Sequence, residues 1–86
     1  MTDINETLEE RSKTHGSFSM NAQLAQHMKQ TLRESEKWYG LTLMQHEALD
    51  MISSKIARIL SGNANEPDHW RDIAGYATLI ANDLMR

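Results

Sequence analysis

The chain has 86 residues, nine basic against twelve acidic, for a net charge of −3. A chain this short fits one domain that buries only about 60% of the surface its unfolded form exposes, so self-association is a natural source of further apolar burial. There is no cysteine, no run of about 18 apolar residues and no dense Lys/Arg block, which excludes a disulfide framework, a thiolate zinc site and a membrane span, and leaves duplex nucleic acid without a strong attracting field.

Apolar residues recur at i, i+3, i+4 and do not alternate, so the expected class is all-α: a single domain over 1–86, a compact bundle of about four helices. The N-terminus Met1-Thr2-Asp3 lacks the basic-then-apolar layout of a signal peptide, and a cytoplasmic location is expected. The first helix is placed at about 3–13, where Asp3 and Glu6 have capping-box spacing and only Ile4 and Leu8 ask for burial. A loop from Lys13 to Phe18 follows. The second helix spans about 19–37, capped by Ser19, with Met20, Leu24, Met28 and Leu32 four residues apart. Trp38-Tyr39-Gly40 then closes a turn, with both rings over one end of the core.

Thr42 and Gln45 form a second capping-box pattern and open a helix at about 42–61, the most strongly amphipathic of the four. Winding it puts Leu49, Ile52, Ile56, Ile59 and Leu60 on one side and Glu47, Asp50, Ser54 and Arg58 on the other. Gly62 suits a left-handed C′ position. Pro67 falls in the first turn of the last helix, at about 67–85, where a missing N–H costs nothing. Its expected inner face is Trp70, Ile73, Ala77, Ile80, Ala81 and Leu84; Asp68, Asp72, Tyr76 and Asp83 lie roughly opposite. Gly75, inside this helix, costs about 1 kcal/mol relative to alanine and implies that a backbone or ligand comes close.

The chemistry-bearing pattern is a pair of acidic stripes, Glu47 and Asp50 on the third helix and Asp68 and Asp72 on the fourth. Three or four carboxylates around one cavity suit Mg²⁺ or Mn²⁺, hard cations that take oxygen ligands and retain waters for a phosphate substrate. The ordinary expectation for such stripes is solvated helix-surface acids, Asp68 and Asp72 being favoured near a helix N-terminus. An antiparallel pairing of the two helices sets Glu47 and the Asp68/Asp72 pair at opposite ends, so a tilt or a second subunit is needed to join them. Lys55 and Arg58 stand one to two turns beyond Asp50 and suit either phosphate oxygens or surface ion pairs. The four histidines, at 15, 27, 46 and 69, show no His-x3-His spacing, and neither a serine nucleophile with a base nor a phosphate-loop glycine motif is present.

The run Glu10-Arg11-Ser12-Lys13-Thr14-His15-Gly16-Ser17-Phe18, then Asn21, Lys55-Ile56-Ala57-Arg58 and Asp68-His69-Trp70-Arg71-Asp72-Ile73-Ala74-Gly75-Tyr76-Ala77, resembles a family of small phage and prophage proteins, some of which look like MazG-type nucleotide pyrophosphohydrolases. The resemblance covers nearly the whole chain. It implies an all-α nucleotide-pyrophosphatase arrangement, dimeric or higher, with Mg²⁺ between helices and hydrolysis of a nucleoside triphosphate to the monophosphate and pyrophosphate. It further implies Glu47, Asp50 and Asp72 as metal ligands; the hydrolase reading built on them expects Asp68 as an auxiliary acid or water-orienting group and Lys55, Arg58 and Tyr76 at the substrate. The motif departs from the family where His46 precedes Glu47, where Asp50 ends the first acid pair, and where His69 stands in place of the glutamate partner of Asp72. The other reading of these departures is a non-catalytic helical protein that binds a host or phage protein.

Overall fold

A computed structural model describes residues 3–86; Met1 and Thr2, on which part of the leaderless reading rests, lie outside them. Four α-helices follow one another, α1 (Ile4–His15), α2 (Phe18–Arg33), α3 (Leu43–Ser61) and α4 (Pro67–Leu84), with a 3₁₀ turn at Glu36–Gly40 and no strand among the described residues. The chain is the helical bundle its periodicity calls for. None of the helices is long and apolar enough to cross a membrane.

The helix boundaries follow local chemistry. Asp3 caps α1 by accepting the Asn5 N–H at 3.1 Å. The helix then runs two residues beyond the expected end at 13, because the break comes only at Gly16, whose φ of +78° is a left-handed value that glycine adopts without strain. The connection to α2 is therefore two residues long. Ser17, not Ser19, is its cap, with extended backbone and its hydroxyl accepting the Met20 N–H. At the other end α2 stops at Arg33, short of 37, because Ser35 leaves the helical conformation and caps the 3₁₀ turn by accepting from the Lys37 N–H. Of the two aromatic rings there, Trp38 is buried and Tyr39 is exposed.

Both bonds of the Thr42/Gln45 capping box form, at 3.1 Å and 2.9 Å. Gly62 ends α3 but at φ −125°, so left-handed geometry is not what requires a glycine there. The reason is a backbone crossing: a Cβ at Gly62 would overlap the Thr14 carbonyl and His15, and one at Gly16 would overlap the Ser61 carbonyl. The crossing docks the C-terminal end of α1. Thr14 O accepts the Asn63 N–H at 2.9 Å, and the Ser61 hydroxyl lies 2.9 Å from His15 O.

α3 lies between α2 and α4 and makes most of the inter-helix contacts with them, while α1 touches α2 and α3 more lightly. The layer is thin. The buried apolar residues are Ala25, Trp38, Ala48 and Ala57, and the predicted inner positions Leu60, Trp70, Ala77, Ala81 and Leu84 are exposed because no second layer covers them. Gly75 likewise meets nothing within 4 Å of its would-be Cβ, so no close approach explains it within one chain.

Gly62→Ala forces the α1–α3 crossing apart and should destabilise the chain by about 1–3 kcal/mol, the usual range for overpacking. Thr42→Ala should cost about 1 kcal/mol through loss of the cap. Urea denaturation followed by circular dichroism measures both, and an unchanged midpoint for Gly62→Ala would show that the crossing does not constrain the fold.

Candidate functional site

The expected carboxylate set divides. Asp50 accepts two hydrogen bonds from the Arg33 guanidinium, at 3.0 Å and 2.7 Å, and the bidentate pair ties α2 to α3. That pairing, with its charge attraction, raises the Arg33 pKa above its ordinary value despite some desolvation. Arg33 also lies 4.8 Å over the Trp38 ring, which stacks on His46 at 4.3 Å, and the His46 Nε2–H donates to the Trp38 carbonyl at 2.6 Å. Asp50 thus belongs to a cluster that holds the 3₁₀ turn against α3. Glu47 is exposed on the first half of α3. Neither joins Asp72, and among the described residues no three His, Asp or Glu side chains are grouped so as to hold a metal ion. Within one chain, Glu47, Asp50 and Asp72 do not fit a resident Mg²⁺.

Four other expected residues do converge. Lys55 and Arg58 of α3 and Asp68 and Asp72 of α4 line one groove of about 540 Å³, completed by Arg11 and His15 of α1 and by His69. The 3.6-residue period explains the local placement: Lys55 and Arg58 are one turn apart, as are Asp68 and Asp72, and as are Arg11 and His15. Lys55 is buried and its Nζ lies 2.8 Å from Asp72 Oδ2, an ion pair that joins α3 to α4. The hydrogen bond from Lys55, then its charge, holds the Asp72 carboxyl below its usual 3.8. Tyr76, one turn beyond Asp72, is half-buried and lines a neighbouring hollow on α4 with Asp72, Gly75 and Leu79.

The histidines of the groove are built in. His69 is 2% exposed, and its Nε2–H donates to Thr14 O at 3.3 Å. The His15 ring lies 5.3 Å from it, tilted by 45°, and His15 Nδ1 is buried without a hydrogen-bond partner. Burial first, and then the positive charge of Arg58, His69, Arg11 and Lys55, pushes the His15 pKa below 6.5. Sequence reasoning missed Arg11 and His15. Their i, i+4 spacing just before Gly16 was a visible signal, but only the crossing at Gly62 turns that face of α1 toward Lys55 and Arg58.

The profile of a family described as Domain of unknown function (DUF6378) matches residues 1–83. No curated protein and no solved structure matches the chain.

The two shifted groups of the groove, His15 and Asp72, predict a two-stage acid response. His15 titrates below 6.5 when folded, so its neutral form contributes stability that is complete above 6.5 and is lost as pH falls through the lower folded value. Asp72 behaves the same way about 3.8: its contribution is complete above that value and is lost as pH falls through the depressed folded one. Urea midpoints taken from about pH 8 to about pH 3 should show both declines, the upper absent in His15→Asn and the lower reduced in Asp72→Asn. At neutral pH, Asp72→Asn should lower the midpoint by leaving Lys55 buried without its carboxylate. Adding Lys55→Met should recover part of that loss; if it recovers none, the pair does not act as a unit.

Proposed function

We propose that this chain, which belongs to the DUF6378 family, binds a nucleotide through its phosphates in the α1–α3–α4 groove and acts as a MazG-like nucleotide pyrophosphohydrolase, splitting a nucleoside triphosphate into monophosphate and pyrophosphate. The observation that carries the reading is the meeting of Lys55, Arg58, Asp68 and Asp72 in one groove, cations from α3 and carboxylates from the next helix, α4. In this reading Arg58 engages phosphoryl oxygens with its planar fork. Lys55, already held by Asp72, adds charge from the groove floor. Asp68, exposed at the start of α4, orients water, and Tyr76 offers its ring to the base one turn further along. No step is assigned to a resident metal; a divalent cation that travels with the nucleotide enters as part of the substrate.

The apolar surface supports a second copy of the chain as partner. The accessible surface is 6505 Å², against about 5,200 Å² expected for a folded monomer of 9.9 kDa. The excess exceeds the ~800 Å² per partner of a standard interface. An apolar depression between α3 and α4, lined by Leu41, Ala48, Leu49, Ile52, Ala77 and Ile80, marks the face that a two-fold partner would cover. A host or phage protein on the same face is the competing occupant.

Incubation with each common ribo- and deoxyribonucleoside triphosphate and Mg²⁺ should release pyrophosphate from at least one. Arg58→Gln should weaken binding of that nucleotide tenfold or more, which corresponds to the ~1.5–3 kcal/mol of a charged hydrogen bond. Absence of both release and nucleotide binding would falsify the reading. Light scattering at micromolar concentration should return twice the 9.9 kDa chain mass, and a single-chain mass throughout would remove the second copy.

A further inference from the structure

We infer that α1 supplies the grip of a polyphosphate subsite: Arg11 and His15, with Arg58 across the groove, bind two adjacent phosphoryl groups, so that inorganic pyrophosphate is itself a ligand. The inference rests on the phosphate-binding part of the proposed function and names the residues and ligand class it lacks; it does not require hydrolysis.

Apolar packing does not account for the position of α1. No residue of this helix is buried, and its two large aliphatic side chains, Ile4 and Leu8, are 72% and 57% exposed. What fixes it is its last turn. Thr14 O receives Asn63 N–H and His69 Nε2–H, the Ser61 hydroxyl stands between His15 O at 2.9 Å and Ala57 O at 2.8 Å, and the Gly16–Gly62 crossing leaves no slack. That anchorage presents Arg11 and His15 to the groove, with Glu10 and Thr14 beside them.

The pairing of charges points to the ligand's sign. Counted formally the groove is not cationic, since Glu10, Glu66, Asp68 and Asp72 also line it. Three of those acids have a cation of their own, and the fourth, Glu66, has a backbone donor only. Asp72 holds Lys55 at 2.8 Å, Glu10 holds Lys13 at 3.3 Å, Asp68 lies 3.6 Å from Arg71, and Glu66 caps α4 by accepting the Asp68 N–H. Among the described residues, neither Arg11 nor Arg58 has a carboxylate within 4.0 Å. Two unpaired guanidiniums thus converge from opposite walls, and donors without acceptors call for an anion. His15 lines the same groove and feels the charge of both. With its Nδ1 shut in and unpartnered, Nε2 is the nitrogen left to meet a phosphate oxygen. Three donor groups on two helices line a groove of about 540 Å³, which has room for more than one tetrahedral phosphate and so favours a P–O–P unit.

The test uses the full chain and sodium pyrophosphate, with calorimetry for affinity and NMR for the imidazole resonances. Pyrophosphate should bind the wild type and the remote control Arg86→Gln alike, and should shift the ring signals of His15. Arg11→Gln should weaken binding at least tenfold and His15→Asn at least threefold, with circular dichroism spectra unchanged. Because Arg11 is exposed, its replacement tests the site without endangering the fold. Pyrophosphate that leaves the His15 signals unmoved, or that binds Arg11→Gln as tightly as the wild type, overturns the subsite. If no triphosphate is hydrolysed while pyrophosphate binds as described, the catalytic reading fails and the subsite stands. If triphosphates are turned over without any pyrophosphate binding, the subsite alone is lost.

Discussion

The crossing of the α1 and α3 C-termini at Gly16 and Gly62 is the constraint on which the groove depends. Two backbones touch there because neither glycine carries a Cβ, and the closeness lets Thr14 O and His15 O take donors from Ser61, Asn63 and His69. Helix C-termini leave carbonyls unsatisfied, so these bonds meet a need of α1 while they fix its direction. His69 links the crossing to α4. Its buried imidazole bonds Thr14 O and lies against His15, so three helices are joined at one point without a large apolar side chain.

Polar interactions carry an unusual share of the inter-helix order. Lys55–Asp72 joins α3 to α4, and Arg33–Asp50, with Trp38 and His46 beside it, joins α2 to α3. Ion pairs of this kind position helices more than they stabilise them. The apolar faces of α3 and α4 are meanwhile only partly covered, and a bundle built this way has its register set by charge and its remaining apolar surface open. The radius of gyration, 14.9 Å against about 12 Å for a globular chain of this length, expresses the same thinness.

The function of each acid follows from what stands opposite it. Asp50 and Asp72 look alike in a helical wheel, yet one meets Arg33 on the neighbouring α2 and the other meets a buried lysine that lines the groove. Both are engaged, and only the second is near the residues that could meet a substrate. Arg11 and Arg58 have no carboxylate partner, and the chemistry of the groove turns on them more than on its acids.

By itself the sequence determined the elements: four helices by their period, the Thr42–Gln45 box, the Pro67 start of α4, and the stop at Gly62. These depend on interactions within a few residues, which is why spacing reveals them. The end of α2 escaped because the Met20 to Leu32 pattern says nothing about Ser35 diverting the backbone, and the Ser17 cap escaped because Ser17 and Ser19 are equivalent until the conformation of Gly16 is known. Lys55 with Arg58, and Asp68 with Asp72, were each legible as a pair because helical spacing puts them on one face, but that the two pairs line one groove was not. Arg11 and His15, and the separation of Glu47 and Asp50 from Asp72, were decided only by tertiary structure. The relevant partners lie up to 55 residues apart, as His69 and Thr14 do, and the angle between helices, set by the glycine crossing and the two ion pairs, is not written in the period of any one of them.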